Sequence, residues 1–133
     1  MLFRNDYKNI ATLAANIRIL ALQAIYSVGS GHVGGSLSIA DTLAVLYGKT
    51  LDVDFNNPKH KKRSQLVVSK GHCGPAVYAA LALSDFFPAQ NLVTMNRPLT
   101  TLPSHCDRLK TPGIDMTTGS LGQGASAACG IAL

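Results

Sequence analysis

Gln65-Leu66-Val67-Val68 constrains the fold more than any other stretch of this chain. The run is short, apolar and β-branched, bounded by a basic segment before it and by Ser69-Lys70-Gly71-His72 after it. That is the pattern of a strand buried on both faces of a parallel sheet. Alternation of strand, loop and helix around it indicates an α/β fold. A lone strand cannot form a sheet, so this one is only the beginning of a doubly wound sheet. Its neighbours are expected from sequence downstream, or from the less obvious pieces Leu99 to Leu102 and Ile114 to Thr117.

The helices read more plainly. Asn5 or Asp6 can cap a long amphipathic helix in which Ile10, Leu13, Ala14, Ile17, Leu20, Ala21 and Val28 recur at helical spacing, and Gly29 stops it. After the glycine-rich stretch from Gly29 to Gly35, Ser38 and Asp41 form a capping-box-like start to a second helix that ends near Gly48. Pro75 suits the first turn of a third helix through Ala76, Ala79, Ala80 and Leu83, and Pro88 begins a short fourth. The chain is irregular from Asn96 to Pro112. It closes on a small-residue helix after Gly124 with no Gly or Pro stop behind Leu133, so that helix reads as cut rather than finished.

At 133 residues one compact unit is expected. Apolar residues make up 47% and charged residues 14%, a thinly charged surface, so some apolar surface is expected to meet a partner. The net charge of +5 raises the question of nucleic acid. However, the densest basic run, Lys59-His60-Lys61-Lys62-Arg63, follows Asn56-Asn57-Pro58 and reads as a solvated loop, and no interleaved aromatic motif accompanies it. No run approaches the ~20 apolar residues of a membrane span, and the start lacks a signal peptide's order, so the cytoplasm is the expected location. Cys73, Cys106 and Cys129 are widely spaced, form no CxxC pair and read as reduced thiols.

Three histidines sit in loops beside glycine or small residues: His32 in Gly31-His32-Val33-Gly34-Gly35, His72 in Lys70-Gly71-His72-Cys73-Gly74, and His105 in Pro103-Ser104-His105-Cys106. Ligands of α/β sheets bind outside the C-terminal ends of strands, where His72 falls, and an imidazole there can bind phosphate oxygens or shuttle protons. Singly, each is weak evidence, since a loop histidine bonded to backbone is the ordinary case. Gly119 to Gly124 is neither a dinucleotide fingerprint nor a P-loop and by itself reads as a tight turn before a helix.

Together, three segments resemble, in order and spacing, successive signatures of transketolases: Gly29 through Ser38, Val67-Val68-Ser69-Lys70-Gly71-His72, and Thr111-Pro112-Gly113 through Thr117-Thr118-Gly119-Ser120-Leu121-Gly122-Gln123-Gly124. The chain is most similar to the small N-terminal subunits of split transketolases. The resemblance implies the N-terminal portion of a thiamine diphosphate-binding fold, a parallel sheet flanked by helices. It makes residues 1–133 a thiamine diphosphate-binding domain truncated at its C-terminal end. It makes His32, His72 and His105 catalytic, with His72 beside the cofactor diphosphate and His32 and His105 facing the sugar. Gly119 and Leu121 would contact the pyrimidine side of the cofactor.

The resemblance also implies magnesium, held by the Asp of a Gly-Asp-Gly segment and a later Asn. Neither has a counterpart before Leu133, so the metal ligands are expected outside this chain. A C-terminal subunit or domain would supply the glutamate that activates the pyrimidine, in an oligomer acting on phosphorylated sugars. Two departures stand out: Val33 replaces the family's usual proline, and Ser104-His105-Cys106 stands where a Gly-His-Pro is usual. The expected activity is transfer of a two-carbon ketol unit between sugar phosphates, with this chain alone inactive. The alternatives are a non-catalytic remnant or interaction module, and a related thiamine diphosphate enzyme such as deoxyxylulose phosphate synthase.

Overall fold

The computed structural model describes residues 7–54, 57–58 and 60–133. Its centre is α4 (Gly74–Leu83), in which every residue from Gly74 to Ala82 is buried. The sequence explains this: the helix carries no charged side chain, and a helix apolar all round has no face to give to water. Pro75 lies in its first turn, where a missing N–H costs no helical hydrogen bond.

Helix α1 (Tyr7–Val28) packs across α4 through Leu13, Ala14, Ile17, Ala21 and Ala24, all buried at helical spacing. It ends as expected. Gly29 takes φ +80°, and its N–H donates to the carbonyls of Ile25 at 3.0 Å and Tyr26 at 3.1 Å. The expected caps Asn5 and Asp6 lie outside the described residues. By length and composition α1 is apolar enough to cross a membrane, which corrects the expectation that no segment would be. Its polar residues are single and diluted among Ala, Ile and Leu. In this fold its buried stripe is part of the core.

The second helix differs from its expected form. The glycine-rich stretch is itself helical as α2 (Val33–Leu37), followed by α3 (Ala40–Val45) and a π-helical turn, Leu46–Thr50. Ser38 therefore makes no capping box. Its hydroxyl donates to the carbonyl of Gly35 at 3.2 Å and accepts from Lys70 Nζ at 3.0 Å. Asp41 instead reaches Arg18 of α1, where Nη1 donates to Oδ1 at 3.2 Å. That bond holds the Asp41 carboxyl below, and the Arg18 guanidinium above, its ordinary pKa.

Among the described residues there is no strand. Gln65 to Val68 have no ladder partner, and two of their backbone groups are met by side chains instead. Leu66 N–H donates to Asp115 Oδ2 at 2.7 Å, and Val68 C=O accepts from Thr118 Oγ1 at 2.5 Å. The pieces 99–102 and 114–117 do not supply a neighbour; they are turns and irregular loop, and Leu99 sits in the left-handed region at φ +63°, which no strand tolerates. A short 3-10 helix behind Pro88, Ala89–Thr94, packs on α1 and α4. Helix α5 (Gln123–Ala132) leaves the body of the fold with Gly124 as its one buried residue.

Candidate functional site

The three histidines come from three separate segments and meet in one cluster. His32 immediately precedes α2, His72 lies in the 3-10 turn Gly71–Cys73 that leads into α4, and His105 lies in the loop between Ala89–Thr94 and α5. Ring centroids are 4.7 Å apart for His32 and His72, 5.0 Å for His72 and His105, and 6.4 Å for His32 and His105, each pair edge to face. Residues in three loops, weak as single signals, are therefore joined by the fold.

Glycine makes the approach possible. A Cβ on Gly71 would lie 2.6 Å from His105 Cδ2 and 2.9 Å from both Gly119 Cα and Thr118 O. One on Gly74 would lie 2.9 Å from Ser104 O. Any side chain at these positions would push the loops apart. Gly35 also lies against the His72 backbone, but with its Cβ position 3.6 Å from His72 O, an ordinary contact distance.

The 117–124 segment is fastened beside this cluster by side chains that its sequence does not advertise. Thr118 is buried and bonded to Val68 C=O. Gly122 N–H donates to Ser69 C=O at 3.4 Å, and Gly124 N–H donates to Ser69 Oγ at 3.0 Å. Gly119 thus faces His105 with its Cβ position 3.9 Å from Cδ2. Leu121 is 68% exposed, and it borders an open apolar groove of about 480 Å³ with Val68 and Lys70. Beneath the loop, Arg63 forms a two-pronged ion pair with Asp115 while its Nη1 also donates to Ser64 C=O at 2.8 Å. Arg63 is therefore not a member of a solvated basic run. Lys61 and Lys62 are exposed, and Lys59 lies outside the described residues.

Two enclosed polar atoms, His72 Nδ1 and Ser36 Oγ, have no hydrogen-bond partner among the described residues, an arrangement costly enough to be uncommon away from working sites. Among the described residues no group of three or more His, Cys, Asp or Glu side chains is arranged to hold a metal ion. The cysteines are unpaired. Burial pushes the Cys106 thiol up to about 12 and raises Cys73 as well. Tyr78, Ser69, Thr118 and the Arg63–Asp115 pair were not signalled as part of the site; Tyr78 in particular reads as one more apolar position of α4.

A backbone that brings three imidazoles and a glycine-rich turn together at the end of a buried helix defines a class, and the similarities to known proteins agree with it. The chain belongs to the family described as transketolase, thiamine diphosphate binding domain, which residues 10–133 match. It is 61% identical over 117 residues to the 6-deoxy-6-sulfo-D-fructose transketolase subunit SqwG of Clostridium sp. (strain MSTE9), covering 88% of this chain and 42% of that protein. It is 35% identical over 112 residues to one of the subunits of the apulose-4-phosphate transketolase of Phocaeicola vulgatus, covering 84% and 40%. Among solved structures, transketolase from Leishmania mexicana superimposes with a TM-score of 0.87 at 32% identity, covering 91% of this chain and 18% of that one. The thiamine diphosphate-binding fold is thereby established. The chain spans less than half the length of these relatives.

Proposed function

We propose that this chain forms the diphosphate-binding side of a transketolase that moves a two-carbon ketol unit between sugars. The observation that carries this reading is the convergence of His32, His72 and His105 from three segments onto one cluster. The residues present fit thiamine diphosphate. His72 offers an imidazole with an unpartnered enclosed nitrogen to the diphosphate side, Gly119 admits a ring close to backbone, and exposed Leu121 gives the pyrimidine an apolar contact.

Bound thiamine diphosphate supplies the carbanion-stabilising chemistry. The chain's own residues orient and protonate. His32 and His105 donate to sugar hydroxyls and pass protons to and from them, while His72 keeps to the diphosphate. In this reading residues 1–133 are the thiamine diphosphate-binding section of a longer assembly. Parallel strands beside 65–68 complete the sheet, and Mg2+ is held by ligands outside these residues. A C-terminal subunit or domain brings the activating glutamate, and the enzyme works as an oligomer in the cytoplasm. The relatives named as transketolase subunits support the division into chains. No observation favours a non-catalytic remnant or deoxyxylulose phosphate synthesis.

The test uses the complete enzyme with its partner chain. His72→Ala should weaken cofactor binding by roughly ten- to a hundredfold, the loss expected for one charge-assisted hydrogen bond. His32→Ala should mainly slow ketol transfer. Sugar phosphates and 6-deoxy-6-sulfofructose are the donors to compare. An unchanged cofactor Kd for the His72 variant would refute the diphosphate assignment.

A further inference from the structure

We infer that Tyr78 is a positioning residue for His105, acting through its hydroxyl on the loop that carries that imidazole; this rests on the proposed substrate-facing role of His105. Tyr78 is fully buried on α4, yet its hydroxyl donates to the carbonyl of Pro103 at 2.7 Å, two residues before His105. The same loop is closed further along by Thr111, whose Oγ1 donates to Thr101 C=O at 2.5 Å, so the segment from 101 to 111 is tied to itself by Thr111 and to α4 by the phenol.

The loop meets α4 a second time one turn earlier, where Gly74 leaves room for Ser104 O. Gly74 and Tyr78 are spaced i, i+4 and lie on one face of the helix. They hold residues 103 and 104 from below, and Leu102 and Cys106 are buried on either side. Among the described residues no hydrogen bond reaches the His105 ring itself. Its place is therefore set by its backbone, and the backbone by Tyr78. A phenylalanine would fill the same volume, so a tyrosine here has a use for its oxygen.

The experiment compares wild type, Tyr78→Phe and Ile17→Val in the complete enzyme. Ile17→Val is a core truncation of similar stability cost on α1 that removes no hydrogen bond of the loop. The chain's histidines carry isotopic labels for NMR, and KM for the acceptor sugar and thiamine diphosphate affinity are measured alongside. Tyr78→Phe should broaden or shift the His105 imidazole signals and raise the sugar KM about tenfold, with cofactor Kd within twofold of wild type. Ile17→Val should leave all three in place.

Unchanged His105 signals and KM in Tyr78→Phe would overturn the inference. So would an equal rise in KM in both variants, since the hydroxyl would then act only through stability. If wild-type enzyme moves no ketol unit between any of the sugars, the proposed activity fails instead, and the His105 signals still decide the role of Tyr78.

Discussion

Replacing Asp115 with alanine should cost more stability than any other single surface-to-loop change in this chain. Its carboxylate accepts from Arg63 Nη1 at 3.1 Å, from Nη2 and from Leu66 N–H, and the two charged side chains are only 14% and 4% exposed. Alanine leaves a largely buried guanidinium without its counter-charge, bonded to Ser64 C=O alone among the described residues, and a backbone N–H without its acceptor. Removing one partner of such a pair costs about 3–5 kcal/mol, which at a urea m-value of about 2 kcal/mol/M lowers the unfolding midpoint by roughly 1.5–2.5 M. The double variant Arg63→Met, Asp115→Leu removes both charges; Leu66 N–H loses its acceptor and the half-buried Ser64 C=O its Arg63 donor. It should therefore recover all but about 1–3 kcal/mol of the loss. Urea titration followed by circular dichroism measures both. A midpoint for Asp115→Ala within 0.5 M of wild type, a threshold of about 1 kcal/mol, would show that this pair does not fasten the loop.

Gly71→Ala should abolish cofactor binding and ketol transfer in the complete enzyme while α1 and α4 keep their circular dichroism, because the new methyl would collide with His105 and Gly119; retained cofactor affinity would count against the glycine-tied site. Asp41 titrates below its ordinary value because Arg18 bonds it, so its contribution is present above about pH 3.8 and is lost as pH falls through the lower folded value. Asp41→Asn should flatten that acid limb of the stability profile. The Cys106 thiol, raised to about 12 by burial, contributes stability that is present below its unfolded value near 9 and is lost as pH climbs toward 12. Alkylation mapped by mass spectrometry should accordingly find Cys129 modified in the folded chain, with Cys73 and Cys106 modified only on unfolding.

Helices α1 and α4 were legible because their signals are local: apolar spacing, a terminal glycine, a proline in the first turn. The histidine cluster was legible only through the order of three motifs, since nothing in Gly31-His32 or Ser104-His105 states that those rings lie 6.4 Å apart. Two readings gave way to tertiary context. Gly34 and Gly35 argued for a loop but became helical in α2, so the start expected at Ser38 was displaced. Val67 and Val68 have strand chemistry, but a strand exists only against a neighbour, and no segment among the described residues forms a backbone ladder with them. Tyr78 and the Arg63–Asp115 pair left no trace, because their partners lie 25 and 52 residues away along the chain.

The glycines between the histidine loops carry a further consequence for how such a site can change over generations. Shape here is written in the main chain: positions 71 and 74 admit no side chain at all, so almost any substitution there forfeits the whole arrangement. The imidazoles sit at the other extreme. His32 is exposed, and no hydrogen bond among the described residues fixes its ring or that of His105, so either could be exchanged for another polar side chain without moving the frame. A lineage can therefore alter the chemistry that the imidazole positions present while the glycines stay fixed. Innovation and inheritance are assigned to different segments that meet at one cluster.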